Sequence, residues 1–187
     1  AGNTDPTPAT YTWTIQTAGV PVTCGQVLTQ STTVGNDLVD CLGDGLVVGD
    51  DNITIDLNGH TVDGIGLGAG VRNEGFAFVT VRNGTIQEFD QGVLLGAGTQ
   101  INVVEDLTAQ GNQVAGVELA GAGSGNQVRD NALPNNSTAV LITGSSGNTV
   151  SSNTASGGGN MGIVLVAASG NALLTNTISG TGDGGIE

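Results

Sequence analysis

Lysine is absent from this chain, and Arg72, Arg82 and Arg129 stand against 17 Asp and Glu, for a formal charge of −14. Phosphate backbones are held by Lys and Arg, so nucleic acid is excluded as a partner class, and anionic membrane surfaces with it. Aromatic residues make up only 3% of the 187 residues, too few for the ring-stacking platforms of a dedicated sugar-binding module, and Phe76, Phe78 and Phe89 are expected to pack inside. Charge is also scarce at 11%, and with so much Val, Ile and Leu the chain is not a disordered one. No run reaches the ~18 apolar residues of a membrane helix. No basic-then-apolar leader opens the sequence, so any export signal is expected outside it. A lone histidine, His60, has no partner of its own kind for metal or relay chemistry.

Cysteine is limited to Cys24 and Cys41, which have neither metal-site nor redox spacing. Two readings stay open from the residues alone. A bridge would stabilise by about 3 kcal/mol through loop closure; free buried thiols are the other. Low Lys with many Asn and Thr favours an oxidising, extracellular setting.

Glycine is abundant, at 33 residues, and it recurs. The tripeptides Gly70-Val71-Arg72, Gly92-Val93-Leu94, Gly116-Val117-Glu118, Ala139-Val140-Leu141, Gly162-Ile163-Val164 and Gly185-Ile186-Glu187 follow one another at intervals of 22, 24, 23, 23 and 23. A fixed period of this size built from short alternating segments predicts a solenoid with one coil per repeat. A second row carries the period-two pattern of half-buried strands, in Asn52–Asp56, Phe78–Arg82, Asn102–Glu105, Asn126–Arg129, Asn148–Ser151 and Asn171–Leu174. Gly-Asn pairs at 125/126, 147/148 and 170/171 mark one corner, and Asn131, Asn153 and Asn176 another. Stacked coils place such residues about 4.8 Å apart, where an amide can donate to one neighbour and accept from the next. These Asn are expected to be structural. Tripeptides of the N-glycosylation type begin at Asn52, Asn83, Asn135 and Asn136.

In the glycine-led row Arg72, Leu94, Glu118, Leu141, Val164 and Glu187 should point outward. Half of them are apolar, which predicts a stripe that something covers. The fold class expected is therefore all-β: a parallel β-helix solenoid of 22–24 residues per coil and six to seven coils.

The residues Cys24-Gly25-Gln26, Asp40-Cys41, Gly45-Leu46-Val47-Val48 and above all Ile53-Thr54-Ile55-Asp56-Leu57-Asn58-Gly59-His60-Thr61-Val62-Asp63-Gly64 resemble secreted right-handed parallel β-helix repeat proteins of the pectate-lyase-like superfamily. The resemblance covers 24–187. It implies a three-sheeted right-handed cylinder over 17–187, a Cys24–Cys41 staple in an N-terminal coil at 24–46, and an open C-terminal coil. Residues 1–16, with Tyr11-Thr12-Trp13-Thr14-Ile15, look like the last strand of a bacterial immunoglobulin-like domain, or a linker. The chain is thus expected to be a piece of a larger surface protein. Its candidate interaction surface is Tyr11, Trp13 and Ile15 together with Leu94, Leu141, Val164 and, on the terminal coil, Ile186.

No catalytic constellation stands out. A lyase of the superfamily would pair a calcium-binding acidic cluster with a base, yet only three Arg are available and the nearest acids are Asp50, Asp51, Asp56 and Asp63. Asn3-Thr4-Asp5 and Gly49-Asp50-Asp51 echo polygalacturonase motifs, but the other two motifs are missing and the first lies in the immunoglobulin-like remnant. Glu88 and Asp90 are the best remaining acidic pair and could face a sugar. The expectation is an extracellular, cell-surface structural or adhesive module without a catalytic or metal site. Partners would be a glycan or other copies joined end to end, with calcium the one cofactor left open. The alternatives are a fragment of a polysaccharide-active enzyme and a carbohydrate- or calcium-binding module.

Overall fold

The structure is a computed structural model that describes residues 18–157, 161–182 and 184–187. The expected immunoglobulin-like strand, with Tyr11, Trp13 and Ile15, lies outside the described residues. Among those residues the regular elements are all strands, and every pairing is parallel. The alternating residues give each strand one face to bury, and the parallel stack buries it against the coil interior.

Three faces wind about one core. Face one contains Gln26–Leu28, Leu46–Val48, Ala69–Asn73, Gln91–Leu95, Ala115–Ala120, Thr138–Thr143, Met161–Val166 and Gly184–Ile186, stacked in chain order. Eight stacked strands make seven turns of solenoid, about 34 Å along the axis at the usual strand spacing. Faces two and three belong to a single sheet, because Thr80–Gln87 and Val103–Gln110 run through both. Elsewhere they separate, as in Gln127–Arg129 followed by Ala132–Pro134. In each coil after the first a left-handed residue turns the corner between them: Asn58, Asn83, Asp106, Asp130, Ser152 and Thr175, with φ between 50 and 59°. Asn and Asp tolerate that conformation better than most side chains.

Inward residues stack into columns. Val71, Val93, Val117, Val140 and Ile163 form one, in register and at most 2% exposed. Ile55, Val81, Val104, Val128 and Val150 form another, at most 1% exposed. Each fully buried side chain of this kind contributes about 1.5–3 kcal/mol of hydrophobic stabilisation.

The recurring glycine has a packing cause rather than a dihedral one. At Gly116 a Cβ would stand 2.8 Å from the Asn136 amide nitrogen and 3.2 Å from Leu133. At Gly162 it would stand 2.6 Å from Ile178, and at Gly70 it would collide with Ile86. The row is tight because face one folds directly over the inward side chains of face three. Ala139 breaks the rule over Ala155, whose neighbours in the column are Leu133 and Ile178; Gly92 keeps glycine over Ala109 because its Cβ would collide with the Gly116 carbonyl. The row also reaches back to Gly45, since Leu46 pairs with Val71.

Three asparagine ladders close the corners. Asn102, Asn126, Asn148 and Asn171 form the first. The backbone and side-chain N–H groups of Asn102 donate to Asn126 Oδ1, both at 3.0 Å, and those of Asn126 donate to Asn148 Oδ1 in the same way. Asn131, Asn153 and Asn176 repeat the pattern at the face two–three corner. Both were expected. The third, Asn112 to Asn136 at 2.9 Å, was not.

Cys24 and Cys41 are disulfide-bonded, with Cα atoms 5.5 Å apart. Phe89 is fully buried and Phe76 packs against the core, but Phe78 does not join them as expected: it is 51% exposed. It occupies a left-handed corner (φ 58°) two residues before Thr80–Gln87 begins, where the side chain turns outward.

Candidate groove at the face three to face one corner

Outward positions on face two form a charge column. Asp56, Arg82, Glu105 and Arg129 lie in register on successive coils. Arg82 bonds Asp56 at 3.0 Å, and Arg129 pairs with Glu105. On face one, Arg72 holds Asp44 by two bonds of 2.7 and 2.8 Å and Glu74 by one of 3.1 Å. Burial pushes the Asp44 carboxyl up, but the Arg72 guanidinium and the Ala69 N–H outweigh it and hold it below the usual range. All three arginines are therefore committed to structural ion pairs.

The acids singled out in the sequence do not converge. Asp51 accepts the Ala77 N–H at 2.7 Å, Asp56 is paired with Arg82, and Asp63 accepts from Gln87 at 3.0 Å. Among the described residues no three His, Cys, Asp or Glu side chains are placed to hold a metal ion. His60 Nδ1 lies 2.9 Å from Asp37 Oδ1, which also accepts the Thr61 N–H at 2.9 Å. That fixes the Asn58–Thr61 corner to the coil before it. The Thr61 N–H, then His60, lower the Asp37 pKa.

The outward stripe is less open than expected. Leu94 is only 8% exposed, with the longer Arg72 and Glu118 in register on either side. Leu141 and Val164 are half-buried, in register with each other. Ile186 is 56% exposed and continues the inward column beyond Ile163 rather than the outward stripe.

Free chemistry gathers instead where face three turns into face one. A cavity of about 460 Å³ is lined by Asp40, Gly64, Ile65, Gly66, Glu88, Gly111 and Gln113. A second, of about 370 Å³, lies over the disulfide and shares Asp40; Leu42, Gly43 and Asp44 line it. Together they form a groove across the first coils. Among the described residues the Asp40 and Glu88 carboxylates make no hydrogen bond or ion pair. Two of its lining residues are apolar and exposed, Leu42 at 80% and Ile65 at 46%, and their sequence neighbours Val39 and Leu67 are exposed at 66% and 53%.

Of these residues only Glu88 was a candidate in the sequence, and its partner across the groove is Asp40 rather than Asp90. Leu42, Ile65 and Leu67 went unflagged. The available signal was the Gly45 to Gly70 interval of 25 residues, where the stretch Gly64–Gly68 breaks the strand alternation.

No curated protein and no solved structure matches the chain. The family of the right-handed β-helix region matches residues 18–179, in agreement with the parallel coils, and the chain belongs to that family.

Proposed function

We propose that the chain is an extracellular structural and adhesive module whose stacked coils form a rigid rod and whose corner groove holds a glycan. The observation that carries this reading is the contrast in pairing. Every arginine is spent on an ion pair between or along coils, whereas Asp40 and Glu88 stand unpaired among the described residues, in a groove with exposed Leu42 and Ile65. Carboxylates beside apolar surface suit sugar hydroxyls and ring C–H faces. With a charge of −14, the module repels polyuronates and favours neutral or amino sugars. The disulfide is compatible with export.

A glycan screen at low salt tests it. Neutral or amino-sugar oligosaccharides should bind without being cleaved, and D40N/E88Q should lower affinity about tenfold or more. Cleavage that E88Q abolishes would replace this reading with a two-carboxylate hydrolase, for which Asp40 and Glu88 sharing one groove is the specific support. Self-association belongs to the same proposal. Sedimentation velocity across concentration, in calcium and in chelator, decides whether copies join and whether a cation bridges them.

A further inference from the structure

The four tripeptides of the N-glycosylation type are separated by the fold. Asn136 is 3% exposed. Its Oδ1 accepts the backbone and side-chain N–H groups of Asn112 at 3.0 and 2.9 Å, and its Nδ2 donates to Ala109 O at 2.8 Å. A sugar on that nitrogen would remove the ladder. Asn83 is exposed and left-handed, at φ 59°, but it lies inside Thr80–Gln87, paired with neighbouring coils on both sides, and its Nδ2 is tied to both Asp56 oxygens at 3.2 and 3.3 Å.

Asn52 and Asn135 are placed differently. Both are exposed, and both occupy left-handed corners outside the strands, with φ of 59 and 58°. Among the described residues neither side chain has a hydrogen-bond partner, and the hydroxyls two residues on, Thr54 and Ser137, have none either. The Asn135 side chain rests above Gly157, where no Cβ stands in the way.

We propose that Asn52 and Asn135 are N-glycan attachment sites and that Asn83 and Asn136 are not. In the transfer the Asn Nδ2 forms a bond to C1 of the first sugar. The bond from C1 to the diphosphate of a lipid-linked oligosaccharide breaks, the lipid diphosphate leaves, and the amide loses one proton. The donor and the transferase belong to the exporting cell. The two glycans stand at different corners and leave the outward columns of all three faces uncovered. Asn135 follows Glu88 and Gly111 in one corner row, so its glycan borders the proposed groove.

In the cell this rests on the export proposed above; its test does not, because the export signal is supplied. The full chain, fused to a cleavable signal peptide, is secreted from a eukaryotic host and the folded monomer isolated by size exclusion. Enzymatic release in heavy-oxygen water marks each occupied Asn, read by peptide mass spectrometry after cleavage at acidic residues. Glycan at Asn52 and Asn135 alone is expected, with N52Q and N135Q each removing one. Folded monomer lacking glycan at either position, or carrying it at Asn83 or Asn136, overturns the assignment. N136Q should keep both glycans while lowering the melting temperature, which separates a ladder role from an acceptor role.

Discussion

Replacing Asn126 by Ala tests the physical account of the coil corners most directly. Asn126 is fully buried, and its Oδ1 is the acceptor for the Asn102 N–H at 3.0 Å. In the variant that N–H, in a residue 1% exposed, has no other partner. An orphaned buried donor costs about 1–3 kcal/mol. The Asn102 side chain keeps Phe76 O at 3.1 Å, and Asn148 Oδ1 keeps the backbone N–H of residue 126. Those two losses are therefore partial. The Gly123 carbonyl loses its donor at 3.1 Å, and the missing amide leaves a small void. The expected total is about 3–4 kcal/mol, or roughly 10 °C in melting temperature for a chain of this size. Asn171 ends the same ladder half-buried: its Oδ1 accepts only the Asn148 backbone N–H, at 2.9 Å, and its Nδ2 donates to Ser145 O at 3.0 Å. Water reaches this half-buried end and offsets part of both losses, so N171A should cost about 1–2 kcal/mol. Urea and thermal unfolding followed by far-ultraviolet circular dichroism measure both. If N126A costs no more than N171A, the ladders are not what holds the corners and the reasoning fails. N126D sharpens the test, because a carboxylate oxygen would replace the donor that faces Asn148 Oδ1. It should be worse than Ala at neutral pH and recover in acid.

Two further outcomes follow from named contacts. The Asp44 carboxyl is held below its ordinary value of 3.8, so its stabilising contribution is complete above that value and lost as pH falls through the lower, folded one. D44N should therefore lower the melting temperature at pH 7 and flatten its acid limb below about pH 4; an unchanged limb would show that the Arg72 pair contributes nothing. Glycines should divide into two kinds in thermal melts. Gly116→Ala forces a Cβ to 2.8 Å from Ala139 O and should destabilise, whereas Gly144→Asn, at φ 61° with open space around the Cβ, should stay within about 0.5 kcal/mol of the parent.

Much of the architecture is legible because a solenoid repeats its constraints. Each coil must pass a small residue under the same overhang and supply an amide at the same corner, so Gly92, Gly116 and Gly162, or Asn126, Asn148 and Asn171, announce themselves by spacing. The third ladder escaped because it has two described members, Asn112 and Asn136, and the second sits inside a tripeptide that suggests a different use. Phe78 escaped because hydrophobicity places it inward, and only the left-handed backbone before its strand turns it out. The groove was least legible. It forms where the coil between Gly45 and Gly70 departs from the repeat, and a departure has no second copy in the sequence against which to see it.

That asymmetry is also the argument for where function lies. Parallel stacking sets each outward side chain about 4.8 Å from its counterparts on the coils above and below, so a repeated charge would repel itself along the whole rod. The face-two column avoids this by alternating Asp56, Arg82, Glu105 and Arg129, and face one sets Arg72 against Asp44 and Glu74. The cost of this solution is that no arginine is left for chemistry. Asp90, Asp106, Glu118, Asp40 and Glu88 fall outside the scheme, and of these Asp40 and Glu88 line one cavity at a corner, with exposed Leu42 and Ile65 beside them rather than a cation. Stacking gains nothing from that arrangement. A partner that supplied hydroxyl or ammonium donors and covered the apolar residues would give both carboxylates what the rod withholds, which is why the glycan site is proposed in the groove rather than on any of the three regular faces.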